Sequence, residues 1–260
     1  MILYKYLSVS RVLEILNDER IAFTTMDLFN DPFEFSSMKI SQDKNLIDVN
    51  IVEHVKRIAI NNNYPILCLT RQPLNPLMWS HYADSHKGIV IGINILKTNF
   101  TSEDDNIIPA QYGNIIYTQT KPLYDYVSKE NFERTVIGET CCYQSNNLEK
   151  LQRRYLYKSS HWSYEEEVRI VKCAKSNSLK VSDENNKVYF YSLNLDMIDS
   201  IFIGIRTPKK DINEILIKLD EKIKIYECKI NKGTWDMKAK KVEIENVFKD
   251  KTKSLKFKPI

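Results

Sequence analysis

One stretch near the middle of the chain constrains its structure most: an aromatic segment over 75–83 that runs directly into an apolar one. If Asn75 or Ser80 begins a helix, Trp79 and Tyr82 are three residues apart and share one face. Buried indole and phenol groups need hydrogen-bond partners. The segment therefore predicts either a core helix with satisfied polar tips or a helix that lines a pocket, and both remain open.

The rest of the chain mixes strands and helices. Hydrophobic periodicity predicts strands at 2–7, 20–25, 64–70, 88–95, 114–118, 168–173, 187–193, 200–205 and 222–229, and helices from Ser10, over 46–61, in the aromatic segment, over most of 124–158 and over 209–219. Because the two types do not alternate regularly, we predict the α+β class, with mixed or antiparallel sheets and flanking helices.

Composition favours one domain. The chain has 260 residues, 43% of them hydrophobic, and no glycine-serine or proline-rich linker divides it. We predict a single domain over 1–260 with a lysine-rich C-terminal extension over about 230–260. No apolar run of bilayer length and no secretory signal is visible, so we expect a cytoplasmic protein without a membrane partner. With a net charge of only +4, the extension is either a solvated tail or a phosphate-contacting surface.

The cysteines give no metal or disulfide signature. There are five, at positions 68, 141, 142, 173 and 228, with no Cys-x-x-Cys pair and no histidine at zinc-finger spacing. Cys141 and Cys142 are adjacent, which points their side chains apart in a strand. We expect small buried apolar residues and no bound metal.

A second informative cluster, over 158–170, is rich in acidic and aromatic residues. If 164–171 is extended, Glu165, Glu167 and Arg169 point to one face of the strand. A carboxylate beside a cation and a second carboxylate can be held at a chosen protonation state in a cleft. The alternative is a solvated acidic edge.

Two shorter motifs lie nearer the N-terminus. Asn30 and Asp31 precede Pro32, which fixes one dihedral and predicts a rigid turn. Such turns also place ligand-binding groups. On the first strand, Lys5 points away from Tyr6 and its tyrosine neighbour, a pattern that serves packing more often than function.

Several enzyme signatures are absent. The sequence contains no Gly-x-x-x-x-Gly-Lys-Ser/Thr loop, no Gly-x-Gly-x-x-Gly, no Gly-x-Ser-x-Gly and no His-Glu-x-x-His. Phosphoryl transfer from ATP, Rossmann redox chemistry and zincin proteolysis are therefore disfavoured.

Taken in order, the motifs resemble the bacterial domain-of-unknown-function family 2971 over about residues 2–220. The resemblance rests on Tyr4-Lys5-Tyr6, Phe29-Asn30-Asp31-Pro32-Phe33-Glu34, Cys68-Leu69-Thr70, Met78-Trp79-Ser80-His81-Tyr82-Ala83 with Lys87-Gly88, and Trp162-Ser163-Tyr164-Glu165-Glu166-Glu167-Val168-Arg169. The family name supplies no reaction.

More distantly, the same order is similar to the ADP-ribosyltransferase fold, especially that of bacterial toxins that modify nucleic acids. Those enzymes carry a polar residue on an early strand, a hydroxyl-bearing strand followed by a helix with an aromatic residue that stacks on nicotinamide, and a glutamate on a later strand. The similarity lays this aromatic position on Trp79 and Tyr82. The similarity implies NAD as a substrate, with a carboxylate that stabilises an oxocarbenium-like state and no metal.

This similarity also implies roles for particular residues. Glu167 becomes the catalytic acid, with Glu165 and Arg169 beside it. The residues implied to bind NAD are Lys5, Tyr6, Asn30, Asp31, Thr70, Arg71, Trp79, His81 and Tyr82.

The similarity further implies that the protein acts as an intracellular toxin or anti-phage effector. DNA or RNA is the implied target, and an antitoxin or a defence-system component is the implied partner. Two other functions stay open: a non-enzymatic module that binds a nucleotide or a protein, and a metal-dependent nuclease that uses Asp31, Glu34, Glu165 and Glu167.

Overall fold

The computed structural model describes residues 1–35, 39–40, 63–124, 141–183 and 188–242. Three predicted features lie wholly or partly outside these ranges. They are the helix over 46–61, residues 125–140 of the helix over 124–158, and residues 243–260 of the lysine-rich extension.

The described residues form strands and a few helices. The strands are β1 (Ile2–Leu7), β2 (Arg20–Thr24), β3 (Lys39–Ile40), β4 (Ile66–Thr70), β5 (Ile89–Asn94), β6 (Ile116–Thr118), β7 (Leu123–Tyr124), β8 (Tyr157–Ser159), β9 (Glu167–Val171), β10 (Leu179–Asp183), β11 (Val188–Ser192), β12 (Ile198–Ile203), β13 (Lys224–Ile230) and β14 (Met237–Val242). The helices are α1 (Val9–Asp18), α2 (Pro32–Phe35), α3 (Pro76–Tyr82), α4 (Leu148–Tyr155) and α5 (Lys209–Lys218).

A single large sheet organises the molecule. Among the described residues it has ten strands in the order β10-β11-β2-β4-β1-β5-β12-β13-β14, with β9 also paired to β4. Its pairings are antiparallel except that between β12 and β13. Two small parallel pairs, β3 with β7 and β6 with β8, lie outside it. This mixed sheet with few helices confirms the predicted mixed architecture of strands and helices.

The sheet splits at β4. One edge of β4 pairs along its length with β9, whereas the other edge meets β2 at Ile66 and β1 at Thr70. Strands β1 and β2 therefore diverge, and within the described ranges no strand pairs between them. Instead the ammonium group of Lys5 donates a hydrogen bond to the carbonyl of Cys68 at 2.9 Å. The split leaves room for a cavity beside the middle of β4.

Both faces of the central sheet are buried. Along β5, Ile89, Ile91 and Ile93 pack in one core cluster with residues of α1 and α5. Val90, which points to the other face, packs with α3 and with Phe202. This alternation follows from the two-residue period of a strand, so α3 lies on the face opposite to α1.

Three local features differ from the predictions. Helix α1 begins at Val9, because the Ser8 hydroxyl, rather than that of Ser10, accepts a hydrogen bond from an amide of the first turn. Strand β14 pairs with β13, so the first part of the predicted extension belongs to the sheet. Cys141 and Cys173 are joined as a disulfide, with Cα atoms 4.9 Å apart, rather than being separate apolar residues.

The predicted long helix over 124–158 is also shorter in its described part, where α4 ends at Tyr155 and β8 follows. None of the helices in the described ranges combines the length and apolarity needed to cross a bilayer.

Candidate functional site

Helix α3 places its two large rings in different surroundings. Asn75 begins the helix, since its side-chain oxygen accepts hydrogen bonds from two amides of the first turn at 2.9 and 3.3 Å. Trp79 is fully buried, donates from its indole to the carbonyl of Pro73 at 2.9 Å and packs edge-on against Tyr6. The structure thus gives Trp79 a packing role in place of the predicted stacking on a ligand, because no face of its ring is accessible.

Tyr82, one turn further along α3, makes polar contacts through its hydroxyl group instead of being fully buried. Its hydroxyl donates to Glu165 Oε1 at 2.5 Å, and the amide of Asn30 donates to the same hydroxyl at 3.4 Å. The aromatic helix, the polar turn before α2 and the acidic segment before β9 therefore meet at one point.

The sequence predicts an extended strand over 164–171, but in the structure this acidic segment is not one continuous strand. Ser160–Glu165 forms a 3₁₀ helix, Glu166 adopts a left-handed conformation with φ of 43°, and β9 begins at Glu167. Glu166 stays exposed while the glutamates on either side of it are buried. The three predicted side chains of this segment, the two buried glutamates and Arg169, still meet in the interior.

These side chains belong to a buried group of five charges, named the ionic cluster below. Its members are Glu34 in α2, Lys158 in β8, Glu165, and Glu167 and Arg169 in β9. Each of these side chains is at most 6% exposed. Buried charges are costly unless they are paired and hydrogen-bonded, so the geometry of the pairing matters.

The two cations connect the three carboxylates. The Nζ atom of Lys158 lies 2.6 Å from Glu165 Oε2, 2.9 Å from Glu167 Oε2 and 3.2 Å from Glu34 Oε1. Arg169 donates from Nε to Glu167 Oε1 at 2.8 Å and from Nη2 to Glu34. With three carboxylates and two cations, the ionic cluster has one acidic group more than it can neutralise internally.

Burial and pairing move the pKa values of the two central glutamates in opposite directions. Burial raises the pKa of Glu165 above its ordinary value, Lys158 opposes this and Glu167 adds to it. Burial acts in the same direction on Glu167, but Arg169 and Lys158 outweigh it, so the pKa of Glu167 is well below its ordinary value. Of the two, Glu165 takes up a proton more readily.

Pairing with the carboxylates also shifts the pKa values of the two cations. Burial acts to lower the pKa values of Lys158 and Arg169, but the surrounding carboxylates raise both. Both side chains therefore remain charged around the neutral point.

A cleft opens where β1 and β2 diverge, with a volume of about 680 Å³. This is within the range of small-molecule sites. Seven of the predicted site residues line it: Lys5, Tyr6, Asn30, Thr70, Tyr82, Glu165 and Glu167. Because Glu34 and Lys158 line it as well, the ionic cluster forms part of the wall of the cleft.

The other predicted site residues, Asp31, Arg71, Trp79, His81 and Arg169, are not among those that line the cleft. Arg71 donates to the side chain of Asn114 at 2.6 Å. Asp31 is buried and accepts a hydrogen bond from an amide of α2 at 2.8 Å, as a turn residue does. His81 is exposed, and Arg169 is fully buried. These five residues therefore lie outside the lining of the cleft, and their contact with NAD stays a prediction.

Three cations near the cleft are not predicted as site residues. Lys158 opens the acidic cluster noted in the sequence, and the need of two buried glutamates for a counter-ion is the signal that could have identified it. Arg11 and Arg20 also line the cleft and pair with nearby acids at 2.7 and 2.9 Å. They carry no such signal, because charges on exposed positions are usually solvated.

The nuclease alternative meets an obstacle in this arrangement. Within the described ranges, no group of three or more His, Cys, Asp or Glu side chains could hold a metal ion. Glu34, Glu165 and Glu167 are instead bonded to Lys158 and Arg169.

Comparison with known proteins identifies a family but no activity. Residues 78–170 match the family model described as "Protein of unknown function (DUF2971)". No curated protein and no solved structure matches the chain. The matched residues include both tryptophan-containing motifs and span less of the chain than the 2–220 expected from the sequence. The match supports the predicted family over residues 78–170.

Proposed function

We propose that this chain uses NAD as a substrate on an ADP-ribosyltransferase-like fold, either as a transferase or as a glycohydrolase. One observation carries the proposal. Glu165 is a buried carboxyl group of raised pKa that borders the cleft and is held there by the hydroxyl of Tyr82 and the ammonium of Lys158 at 2.5 and 2.6 Å. A perturbed carboxyl group in a cleft of ligand size is a candidate catalytic group.

This carboxylate suits the breaking of the bond between nicotinamide and ribose. When the bond breaks, its electron pair leaves with nicotinamide, and positive charge develops on the ribose carbon. A carboxylate nearby stabilises that charge and accepts hydrogen bonds from ribose hydroxyls. A nucleic-acid base or water then bonds to the carbon and gives its proton to Glu165, whose raised pKa favours uptake.

Glu165 replaces Glu167 as the proposed catalytic carboxylate. Glu167 accepts hydrogen bonds from Arg169 at 2.8 and 3.2 Å and from Lys158 at 2.9 Å. Its pKa is lowered by these cations, so it remains an anion and takes up a proton poorly. We assign Glu167 and Arg169 as positioning residues that hold Lys158 against Glu165.

The rest of the cleft offers groups for the two halves of NAD. Phe29 and Tyr82 line the cleft next to the ionic cluster, since Arg169 lies 5.2 Å from the Phe29 ring and Tyr82 contacts Glu165. Their rings can hold the nicotinamide, the role that the sequence assigned to Trp79.

Arginines at the cleft can receive the pyrophosphate. Arg11 and Arg20 are exposed, and their present partners, Glu14 and Asp18, are exposed acids. Surface ion pairs contribute little, so a pyrophosphate can replace these acids at small cost and gain charge-assisted hydrogen bonds. Lys5 lines the same cleft and adds a third cation.

The proposal extends to a cytoplasmic toxin or anti-phage effector that modifies DNA or RNA and is controlled by an antitoxin or a defence-system partner. Its support is the β13–β14 hairpin, where Lys229 lies directly opposite Lys238 and further lysines follow. Glu227 pairs with Lys229 at 2.9 Å and offsets one of these charges. The remaining lysines leave the hairpin positively charged, and a nucleic-acid backbone that binds there releases counter-ions.

Nicotinamide release from NAD tests the reaction. We expect wild type to release nicotinamide in the presence of single-stranded DNA or RNA, and Glu165→Gln to do so at least about a hundredfold more slowly. The matched control is Glu166→Gln, which alters the exposed neighbour and should retain the wild-type rate. Absence of release by wild type with either nucleic acid, or equal rates for the two variants, would contradict the proposal.

A non-enzymatic binding module remains a second candidate. It is favoured by the internal pairing of both cations in the ionic cluster, which would also suit a rigid recognition surface. Calorimetry distinguishes the two functions. Nucleotide binding of equal affinity to wild type and to Glu165→Gln, without nicotinamide release by either, selects the binding module.

A further inference from the structure

A second cavity, of about 740 Å³, lies next to the cleft. Asn30, Glu34 and Lys158 line both spaces, so part of the ionic cluster separates them. The ammonium of Lys158 is 2.6 Å from Glu165 Oε2. A ligand in the second cavity would thus be separated by one side chain from the carboxylate that we propose acts on NAD.

Aromatic rings dominate the walls of the second cavity. Phe33, in α2, is 68% exposed, and Trp162 and Tyr164, in the 3₁₀ helix before β9, have ring centroids 6.1 Å apart. Lys158 lies 5.3 Å from the centroid of the Trp162 ring. Large rings that are at least partly accessible in a concave surface are typical of binding sites, and these rings come from two separate elements.

Most of the remaining lining residues are polar, and apart from His161 their charges balance. Two carboxylates, Asp31 and Glu34, are matched by the ammonium groups of Lys121 and Lys158. Amide and hydroxyl groups, which both donate and accept hydrogen bonds, come from Asn30, Gln119, Thr120 and Ser159. Such a lining suits an uncharged ligand that has flat faces and a hydrogen-bonding edge.

We propose that the second cavity binds a nucleobase. A nucleobase stacks by its faces on aromatic side chains and pairs by its edge with amides and hydroxyls. An aliphatic chain would offer these amides and hydroxyls no hydrogen bond, and a bare phosphate would meet mainly aromatic rings. A base can enter only after it leaves its stack, so the ligand is a base in a single strand or one flipped out of a duplex.

The role of this base rests on the proposed function: it positions the strand that accepts ADP-ribose. Because part of the ionic cluster separates the second cavity from the cleft, the base held in the second cavity is not the one that bonds to the ribose carbon. A different nucleotide of the same strand enters the cleft. There a nitrogen of its base bonds to the ribose carbon as the bond from that carbon to nicotinamide breaks, the electron pair leaves with nicotinamide, and the displaced proton passes to Glu165.

A comparison of binding affinities for different bases tests this inference without requiring any reaction. The probes are labelled single-stranded oligonucleotides of each base and an abasic oligonucleotide of equal length, titrated in the absence of NAD. We expect wild type to bind at least one base-containing probe about tenfold more tightly than the abasic one. Trp162→Leu should abolish this preference, and Trp162→Phe should retain most of it, which separates stacking from loss of folding.

The matched control is Trp235→Leu, because Trp235 is 99% exposed on the β13–β14 turn and lines neither the cleft nor the second cavity. This variant should keep the preference. Full base preference in Trp162→Leu, or its loss only in Trp235→Leu, would overturn the inference.

The base site and the proposed enzymatic function can be tested independently of each other. Base preference that depends on Trp162, without nicotinamide release by wild type, supports the base site and removes the proposed enzyme. Nicotinamide release with equal ADP-ribose transfer to DNA by wild type and by Trp162→Leu supports the enzyme and removes the base site.

Discussion

Two buried ionic sites lie close together in the sequence but in different surroundings. Lys172, which follows β9, is fully buried and pairs with Asp105, whose side chain is 25% exposed. Asp105 also accepts hydrogen bonds from Ser176 at 2.5 Å and from Ser178 at 3.2 Å. Here one cation faces one carboxylate, and neither side chain lines the cleft or the second cavity.

The ionic cluster differs from the Lys172–Asp105 pair in its ratio of carboxylates to cations and in its contact with cavities. It holds three carboxylates against two cations, and it borders the cleft and the second cavity. Burial acts to raise the pKa of Asp105, but Lys172 and Ser176 outweigh it and lower that pKa, whereas the pKa of Glu165 stays raised. A buried charge that its partner balances is structural, while a surplus carboxylate beside a cavity can exchange protons with a ligand.

Loss of Arg169 should have the largest effect on stability. In Arg169→Met, Glu34 and Glu167 lose a shared partner in the interior, which should lower the free energy of unfolding by about 3–5 kcal/mol. Urea denaturation measures it. The control Arg11→Met breaks an exposed pair and should change the same quantity by less than about 1 kcal/mol. Equal losses in both variants would show that the ionic cluster does not depend on this guanidinium.

Loss of Lys172 should cost less and leave function intact. In Lys172→Met, Asp105 retains the hydroxyl groups of Ser176 and Ser178 and partial contact with solvent, so we expect a loss of about 1–3 kcal/mol in urea denaturation. Nicotinamide release per folded molecule should equal that of wild type. A fall in release like that of Glu165→Gln would remove the distinction between the two ionic sites.

Loss of the Tyr82 hydroxyl should shift a pH profile. The hydrogen bond from Tyr82 lowers the pKa of Glu165 and so opposes the effect of burial. In Tyr82→Phe this pKa rises further, the carboxylate form is lost at a higher pH, and the acidic limb of nicotinamide release should move to higher pH.

The control for this shift is Tyr226→Phe. Tyr226 stacks on Phe202 with ring centroids 4.6 Å apart and does not line the cleft, so its removal should leave the acidic limb unchanged. A downward movement in Tyr82→Phe, or the same movement in both variants, would contradict the assigned contact.

Most of the described strands and the start of the aromatic helix follow from local pattern. Strand β1 occupies 2–7 as predicted, and α3 begins after Asn75, because alternation of apolar residues and N-capping act over a few residues. Helical spacing also put Trp79 and Tyr82 on one side of α3. It could not tell which ring packs against β1 and which reaches the cleft, because that depends on the sheet.

The ionic cluster is less predictable because it is assembled from distant segments. Glu34 and Arg169 are 135 residues apart in sequence, and their contact depends on α2 lying against β9. The left-handed turn at Glu166, which buries the glutamates on both sides of it, also has no glycine or asparagine to signal it. The sequence therefore indicates an acidic face but not the partner of each carboxylate.

The central claim is that Glu165 is retained for chemistry rather than for stability. Nicotinamide release and the free energy of unfolding, measured on the same preparations of wild type and Glu165→Gln, test it most directly. Because burial disfavours the charged form of Glu165, glutamine should change the unfolding free energy by less than about 1 kcal/mol, while release falls at least about a hundredfold. Unchanged release, or a fall that the loss of folded protein fully explains, would contradict the claim.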